Sequence, residues 1–222
     1  MSDAAAAAAT ETTPRERYRT QVRAEIKERA WEQIADAGAS ALSLNAIAKR
    51  MGMSGPALYR YFAGRDELIT ELVRDAYRGL ADAFRAAAAD GADLAGLATT
   101  LRDWALADPQ RYFLVYGTPV PGYHAPEDTT AVAAEIMAVI LDAAAAPGLP
   151  AVPAHPLDAH LAMHRAWAAD HPAPPAALRR ALAFWTRLHG VLSLELAGHF
   201  TGMDLDPAAL YAAETASLLT DH

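Results

Sequence analysis

Residues 43–68 read SLNAIAKRMGMSGPALYRYFAGRDEL, and the reading of the rest of the chain depends on them. Ser43 precedes Leu44, Ile47, Ala48 and Met51 at helical spacing, which predicts a helix capped by Ser43. Gly52 ends it, because glycine takes the left-handed conformation there without steric cost. Ser54 is placed to cap the next helix, with Pro56 in its first turn, where a missing N–H costs little. Leu58, Tyr61 and Phe62 form the apolar stripe of that helix. Leu42 with Ile47, and Met53 with Leu58, have the spacing of hydrophobic staples. Glu67 stands where a capping-box acid belongs for a further helix starting near Gly64. Helix, glycine turn and short helix make the plan of a helix-turn-helix unit. With Leu58 and Phe62 turned inward, Gly55, Ala57, Tyr59 and Arg60 face outward. That face is small at one end, then aromatic and basic, which suits close approach to a DNA major groove.

The segment MSGPALYRYFAGRDEL (53–68) resembles the recognition helix of the tetracycline-repressor (TetR) family, which closes on Leu-Tyr-x-x-Phe before a basic residue and Glu-Leu. The preceding LSLNAIAKRMG (42–52) resembles that family's second helix, and the likeness covers about residues 20–75. A buried three-helix packing unit without a DNA role is the plain alternative. The resemblance implies that helix 3, residues 55–62, enters the major groove. Tyr59 is then expected on a phosphate or thymine methyl, and Arg60 on a base edge or phosphate. Ser43 would offer its hydroxyl and backbone N–H to a phosphate at the start of helix 2, as helix N-termini do. Arg65, where the family often has Lys, would do the same at helix 4, with Lys49 and Tyr61 in support. Ser54, Gly55 and Ala57 complete the expected DNA surface.

The chain of 222 residues suits one large domain or a small domain joined to a medium one, and 53% hydrophobic residues supply a sizeable core. It has no cysteine, which excludes disulfides, thiolate metal sites and cysteine nucleophiles. No apolar run approaches a membrane span, and the N-terminus lacks the layout of a secretory signal, so a cytoplasmic protein with no membrane partner is expected. The net charge of −8 argues against DNA until it is divided along the chain. Residues 15–66 hold ten Arg and Lys against six Asp and Glu, a net +4, whereas residues 67–222 hold nine against nineteen, a net −10. A basic module on an acidic body places favourable potential where phosphates would lie.

Residues 1–17 read as a disordered, alanine-rich tail carrying Arg15 and Arg17 at its end, with Arg19 just beyond. Residues 18–66 are expected to form the DNA-binding domain and 67–222 a helical regulatory and dimerisation domain. Helix 1 is predicted over 18–37, with Val22, Ile26, Ala30, Trp31, Ile34 and Ala35 inward, Trp31 as the anchor and Gly38 at the end. Helix 4 is predicted from Arg65 to Ala89. Beyond it the reading is all-α. Helices are expected over 93–107, 109–116, 128–146, 157–169, 176–200 and 207–220, with Pro/Gly-rich loops at 117–127 and 147–156.

In the body, Trp104, Tyr112, Phe113, Tyr116, Tyr123, Met137, Met163, Trp167, Trp185 and His189 are candidates to line an apolar ligand pocket with polar tips, although each also suits ordinary core. Tyr116 and Tyr123 flank the 117–127 loop. The run FWTRLHGVLSLELAGHF (184–200) resembles a Trp-x-x-x-His-Gly element of the regulatory domain in one branch of the family, here Trp185, His189 and Gly190. A glycine in a helix interior costs about 1 kcal/mol relative to alanine, so close approach of another helix is expected at Gly190. Glu195 and His199 are spaced to pair. His160 and His164 have the spacing of two metal ligands, but no Asp, Glu or Cys completes a set, and no metal or other cofactor is expected. Ser193 lies four residues from His189, too little to make a nucleophile and base. No catalytic motif is present.

The expected function is a ligand-responsive DNA-binding regulator, a repressor released from operator DNA by a small apolar or aromatic effector. It would act as a homodimer through the last two long helices. The alternatives are a DNA-binding regulator that senses a protein partner, and an all-helical enzyme or binding protein whose N-terminal unit is structural.

Overall fold

The computed structural model describes residues 13–124, 126–150 and 153–220, in ten α-helices and two short 3-10 turns, without strands among them. The expected alanine-rich tail, up to residue 12, lies outside the described residues. Two compact units divide the chain between Ile69 and Thr70.

The first unit holds α1 (Pro14–Ala37), α2 (Leu44–Arg50), α3 (Gly55–Leu58) and the first turn of α4 (Arg65–Ala89). Helix α1 starts at Pro14, not near 18. Thr13 caps it, and Glu16 reaches back to the Thr13 N–H in a capping box, so residues 14–17 are helical and not tail. Its buried stripe is Val22, Ile26, Ala30 and Ile34. Trp31 is only half-buried and Ala35 is exposed, because each follows a stripe residue and so sits about 100° around the helix. The fully buried aromatic of this unit is instead Phe62, and Ile26, Ile47, Leu58 and Leu68 are buried as completely.

Helix α2 is capped as expected, the Ser43 hydroxyl accepting from the Ala46 N–H at 3.3 Å. Gly52 follows at φ +65°, the left-handed turn between α2 and α3. Ser54 occupies the N-cap position of α3, but its side chain makes no capping bond. Helix α3 is also shorter than 55–62. After Leu58 the chain tightens into a turn, with the Tyr61 and Phe62 N–H groups both on the Leu58 carbonyl. At α4, the Glu67 carboxylate accepts from the Ala63 N–H, a capping bond one residue further back than the usual box.

The second unit contains the rest of α4, then α5 (Leu94–Ala107), α6 (Pro109–Tyr116), α7 (Glu127–Ala144), α8 (Pro156–Met163), α9 (Pro175–Leu196) and α10 (Pro207–Thr220). Helix α9 is its centre, packed against α5, α7, α8 and α10. Leu178, Ala181, Phe184, Leu188 and Leu192 form its buried stripe. Arg180 is buried with them and donates to the Ala144 and Pro150 carbonyls at 3.2 and 2.8 Å, closing the C-terminal end of α7. Helix α9 stops at Leu196, before the expected 200, and left-handed Gly198 follows. Residues 157–169 are not one helix: α8 ends at Met163, and a 3-10 turn covers Ala166–Ala168.

Candidate functional site

Two groups of side chains carry the functional reading, one in each unit. In the first unit, burial of Leu58 (0% exposed) and Phe62 (1%) turns Tyr59 (48%) and Arg60 to solvent, the inward and outward split that the sequence implies. Gly55 and Ala57 are half-buried. A Cβ added at Gly55 would lie 3.4 Å from the Asn45 Oδ1 of α2, an ordinary contact, so the packing of α3 on α2 does not itself require glycine there. Lys49 and Ser54 are exposed, and Tyr61 is half-buried.

Two of the sequence candidates are already engaged within this unit. The Ser43 backbone N–H is donated to Gln33 Oε1 at 3.0 Å and is not free for a phosphate; only the hydroxyl hydrogen remains. The Arg65 guanidinium donates to the Ala39 and Ser40 carbonyls at 3.0 and 3.4 Å, tying α4 to the turn between α1 and α2. Its remaining N–H groups stand beside the Asp66 carboxylate at 3.6 Å. Sequence reasoning missed Gln33 and Arg23. Arg23 lies over the Phe62 ring, 4.1 Å from its centroid, and donates to the Tyr61 carbonyl, so it pins the turn that ends α3. Its only trace in the sequence is a cation beside the α1 apolar stripe, which reads equally as a solvated position.

In the second unit, five of the ten ligand candidates come together. Tyr116 lies at the centre. Its ring stands 4.4 Å from His189, 5.4 Å from Tyr112, 5.5 Å from Trp185 and 6.4 Å from Trp104, centroid to centroid. Tyr77 of α4, missed as a candidate, closes the cage edge-on at 6.0 Å. Phe113 packs edge-on against Tyr112 at 5.7 Å, on the cage margin. Tyr123 does not enter the cage. Its hydroxyl bonds Thr70 at 3.1 Å, and with Tyr77 it lines a neighbouring cavity of about 220 Å³ under the 117–124 loop. Met137 and Trp167 are partly buried against the same core, and Met163 is 75% exposed on α8.

Polar chemistry is concentrated inside the cage. The Tyr112 hydroxyl bonds His189 Nδ1 at 3.0 Å, the His189 carbonyl at 3.2 Å and Ser193 Oγ at 2.8 Å. It therefore stands between Ser193 and His189, which form no nucleophile and base pair. Burial lowers the His189 pKa to about 4, so the ring is neutral at physiological pH. Burial also raises Tyr116 well above the ordinary phenol range. Trp104 Nε1, the Tyr116 hydroxyl and His189 Nε2 are buried and have no hydrogen-bond partner. Buried polar atoms of this kind are rare and costly. Here the three belong to Tyr116 and to two of the rings packed on it: an indole N–H donor, a phenol hydroxyl and an imidazole nitrogen.

Other candidates resolve as structure. Glu195 does not pair with His199; it forms a two-bond ion pair with Arg102 at 2.5 and 2.8 Å, joining α9 to α5. The His160 and His164 rings stack at 4.2 Å on the α8 surface, and His155 caps that helix by accepting from the Leu157 N–H. Among the described residues no three His, Asp or Glu side chains converge as metal ligands. Gly190 is exposed, and an added Cβ would meet nothing within 4 Å, so no helix among the described residues explains the glycine.

Comparison with known proteins gives a consistent result. Residues 26–72 match the model described as bacterial regulatory proteins of the tetR family. Residues 94–218 match the tetracyclin repressor-like C-terminal domain. The chain is 37% identical over 218 residues to the HTH-type transcriptional regulator Rv1816 of Mycobacterium tuberculosis, covering 90% of this chain and 92% of the relative. The figures are the same for the regulator Mb1846 of Mycobacterium bovis. The protein SCO4313, known from a crystal structure, is 73% identical with a TM-score of 0.87, over 93% of this chain and 99% of that one. A TetR/AcrR-family regulator from Thermobifida fusca shares the fold at 19% identity, with a TM-score of 0.57 over 91% and 98% of the two chains.

Proposed function

This chain belongs to the TetR family of DNA-binding transcriptional regulators, and from that premise we propose that it is a homodimeric repressor released from its operator by a small, uncharged aromatic or apolar molecule bound at the Tyr116 cage. It is a regulator and not an enzyme. It acts in the cytoplasm, where operator DNA lies; among the described residues no helix is long and apolar enough to cross a membrane.

In this reading α3 enters the major groove, Tyr59 and Arg60 contact bases or phosphate, and Lys49, Tyr61 and the Ser43 hydroxyl hold the backbone. The exposed Tyr59 and Arg60 beside fully buried Leu58 and Phe62 support it. Arg65 has a smaller part than its position suggests, because its guanidinium already braces the α1–α2 turn. The ligand part rests on one observation above all: the buried Tyr116 hydroxyl and a buried ring nitrogen on each of its neighbours Trp104 and His189 are without partners. A ligand favouring one disposition of the DNA modules shifts the population toward it. Helix α4 runs through the boundary between the two units and is the covalent route for that shift. Pairing through α9 and α10 draws support from the exposed Gly190 and Leu194 and from partly buried Leu182, Leu196, Leu210 and Leu219.

The test begins by selecting bound fragments from genomic DNA to obtain an operator. In a mobility shift, Tyr59→Ala with Arg60→Ala should abolish specific binding while the protein stays folded and dimeric; operator affinity equal to wild type removes α3 from recognition. A thermal-shift panel of uncharged aromatic amides, ketones and phenols should then yield stabilisers that release operator DNA, an effect weakened by Tyr116→Phe. If every stabiliser leaves the complex intact, the effector is not a small molecule of this class.

A further inference from the structure

Helix α1 begins twelve residues before the segment that matches the family's DNA-binding model, at Pro14 against residue 26. That extra stretch is ordered and has a consequence for the first unit. Arg15, Tyr18 and Arg19 are spaced i, i+3 and i+4 on its first two turns, so they share one face. Together with Arg60 and Tyr61 at the end of α3 they line a concavity of about 360 Å³. Three guanidiniums and two phenols surround this hollow, and among the described residues no carboxylate lines it.

The nearest acid on the helix is occupied elsewhere. The Glu16 carboxylate accepts from the Thr13 N–H at 2.7 Å and the Thr13 hydroxyl at 2.8 Å, closing the cap that orders these turns. Arg15, Arg19 and Arg60 form no ion pair among the described residues. The opposite wall is held firmly, since Arg23 fixes the Tyr61 carbonyl and stacks on Phe62. Like charges gathered around one hollow repel each other unless an anion lies between them. Arginine in this arrangement suits a phosphate, with tyrosine hydroxyls as further donors.

We propose that this concavity holds a phosphate of the DNA backbone beside the base pairs that α3 reads, gripping it from α1 and α3 at once. The proposal rests on the reading of α3 as the groove helix, and it extends the DNA contact to a part of the chain that the family's DNA-binding model does not cover. Such a contact strengthens binding to any duplex and carries no sequence information.

The experiment uses the full chain with Arg15→Ala and Arg19→Ala together. These are exposed helical positions where alanine is well tolerated, and circular dichroism checks the fold. Binding of operator and of unrelated duplex is titrated over a series of KCl concentrations. The slope of log affinity against log salt should become shallower by about 0.9 for the one phosphate lost per half-site, about 2 for a dimer on two half-sites. Operator and unrelated duplex should weaken by the same factor, and Arg15→Lys with Arg19→Lys should retain most of the wild-type slope. An unchanged slope, or a loss confined to the operator, overturns the proposal. The Tyr59→Ala, Arg60→Ala protein separates the two levels. If it loses operator binding while the Arg15/Arg19 variant matches wild type, the cradle alone is wrong. If it keeps operator binding, the reading of α3 fails first.

Discussion

The Tyr112 hydroxyl holds His189 and Ser193 in place, and His189 in turn forms one wall of the Tyr116 cage. A histidine buried this way resists protonation, with a pKa near 4 against 6.5 when unfolded. The sign follows directly. Its contribution to stability is complete above pH 6.5 and is lost as pH falls toward 4, because only the unfolded chain takes up the proton in that window. Between pH 7.5 and 5.5 this single group should remove on the order of 1 kcal/mol. Urea unfolding at the two pH values should show that loss in the wild type and a correspondingly smaller one in His189→Gln; equal losses would assign the effect to other groups. The Arg102–Glu195 pair is a second residue-scale case, with side chains only 17% and 15% exposed. Arg102→Ala leaves a shielded carboxylate without its partner and should cost about 3 kcal/mol, whereas Arg102→Met with Glu195→Met together should cost far less. A double-mutant cycle by denaturant melting checks this.

Among the elements, α2 and α3 show how alike sequences can be used differently. Ser43 and Ser54 both precede a helix, but only Ser43 makes a side-chain cap. Ser43→Ala should therefore lower stability by about 1 kcal/mol, while Ser54→Ala should leave it nearly unchanged, measured as shifts in urea midpoint. Helix α3 ends after Leu58 because Arg23 and the Leu58 carbonyl organise a turn where periodicity alone extends the helix to Phe62. Helix α9 carries the converse lesson at Gly190. A glycine there costs helix stability, and no packing among the described residues accounts for it. Gly190→Leu should preserve or raise the stability of the protomer yet convert the dimer to monomer in sedimentation equilibrium. An intact dimer would move the proposed interface off this face of α9.

At the scale of the whole molecule, charge is divided as the function requires, with +4 on residues 15–66 and −10 on residues 67–222 despite a net −8. The body repels DNA and the small module attracts it, so the protein should bind operator with a strong salt dependence. Raising salt from 50 to 200 mM should weaken it on the order of a thousandfold if about six phosphates are held. A titration across that range checks this, and a nearly flat response would rule out an extensive phosphate interface. The sequence alone determined the all-α class, the helix-turn-helix, the ends at Gly38 and Gly52, and the outward turn of Tyr59 and Arg60, although these two follow α3 and are not part of it. Those features are set locally, by caps, glycines and 3.6-residue periodicity within a few turns. Only the tertiary structure decided which aromatics meet. Trp104, Tyr112, Tyr116, Trp185 and Tyr77 come from four helices far apart in sequence, whereas Met163, with equal promise as a sequence symbol, lies in solvent. It also decided that Arg65 and the Ser43 N–H are already engaged, and that Arg15, Arg19 and Arg60 surround one hollow. Local spacing specifies a helix and its inner face, but a side chain's partners across space depend on how those helices cross, which no short window of sequence contains.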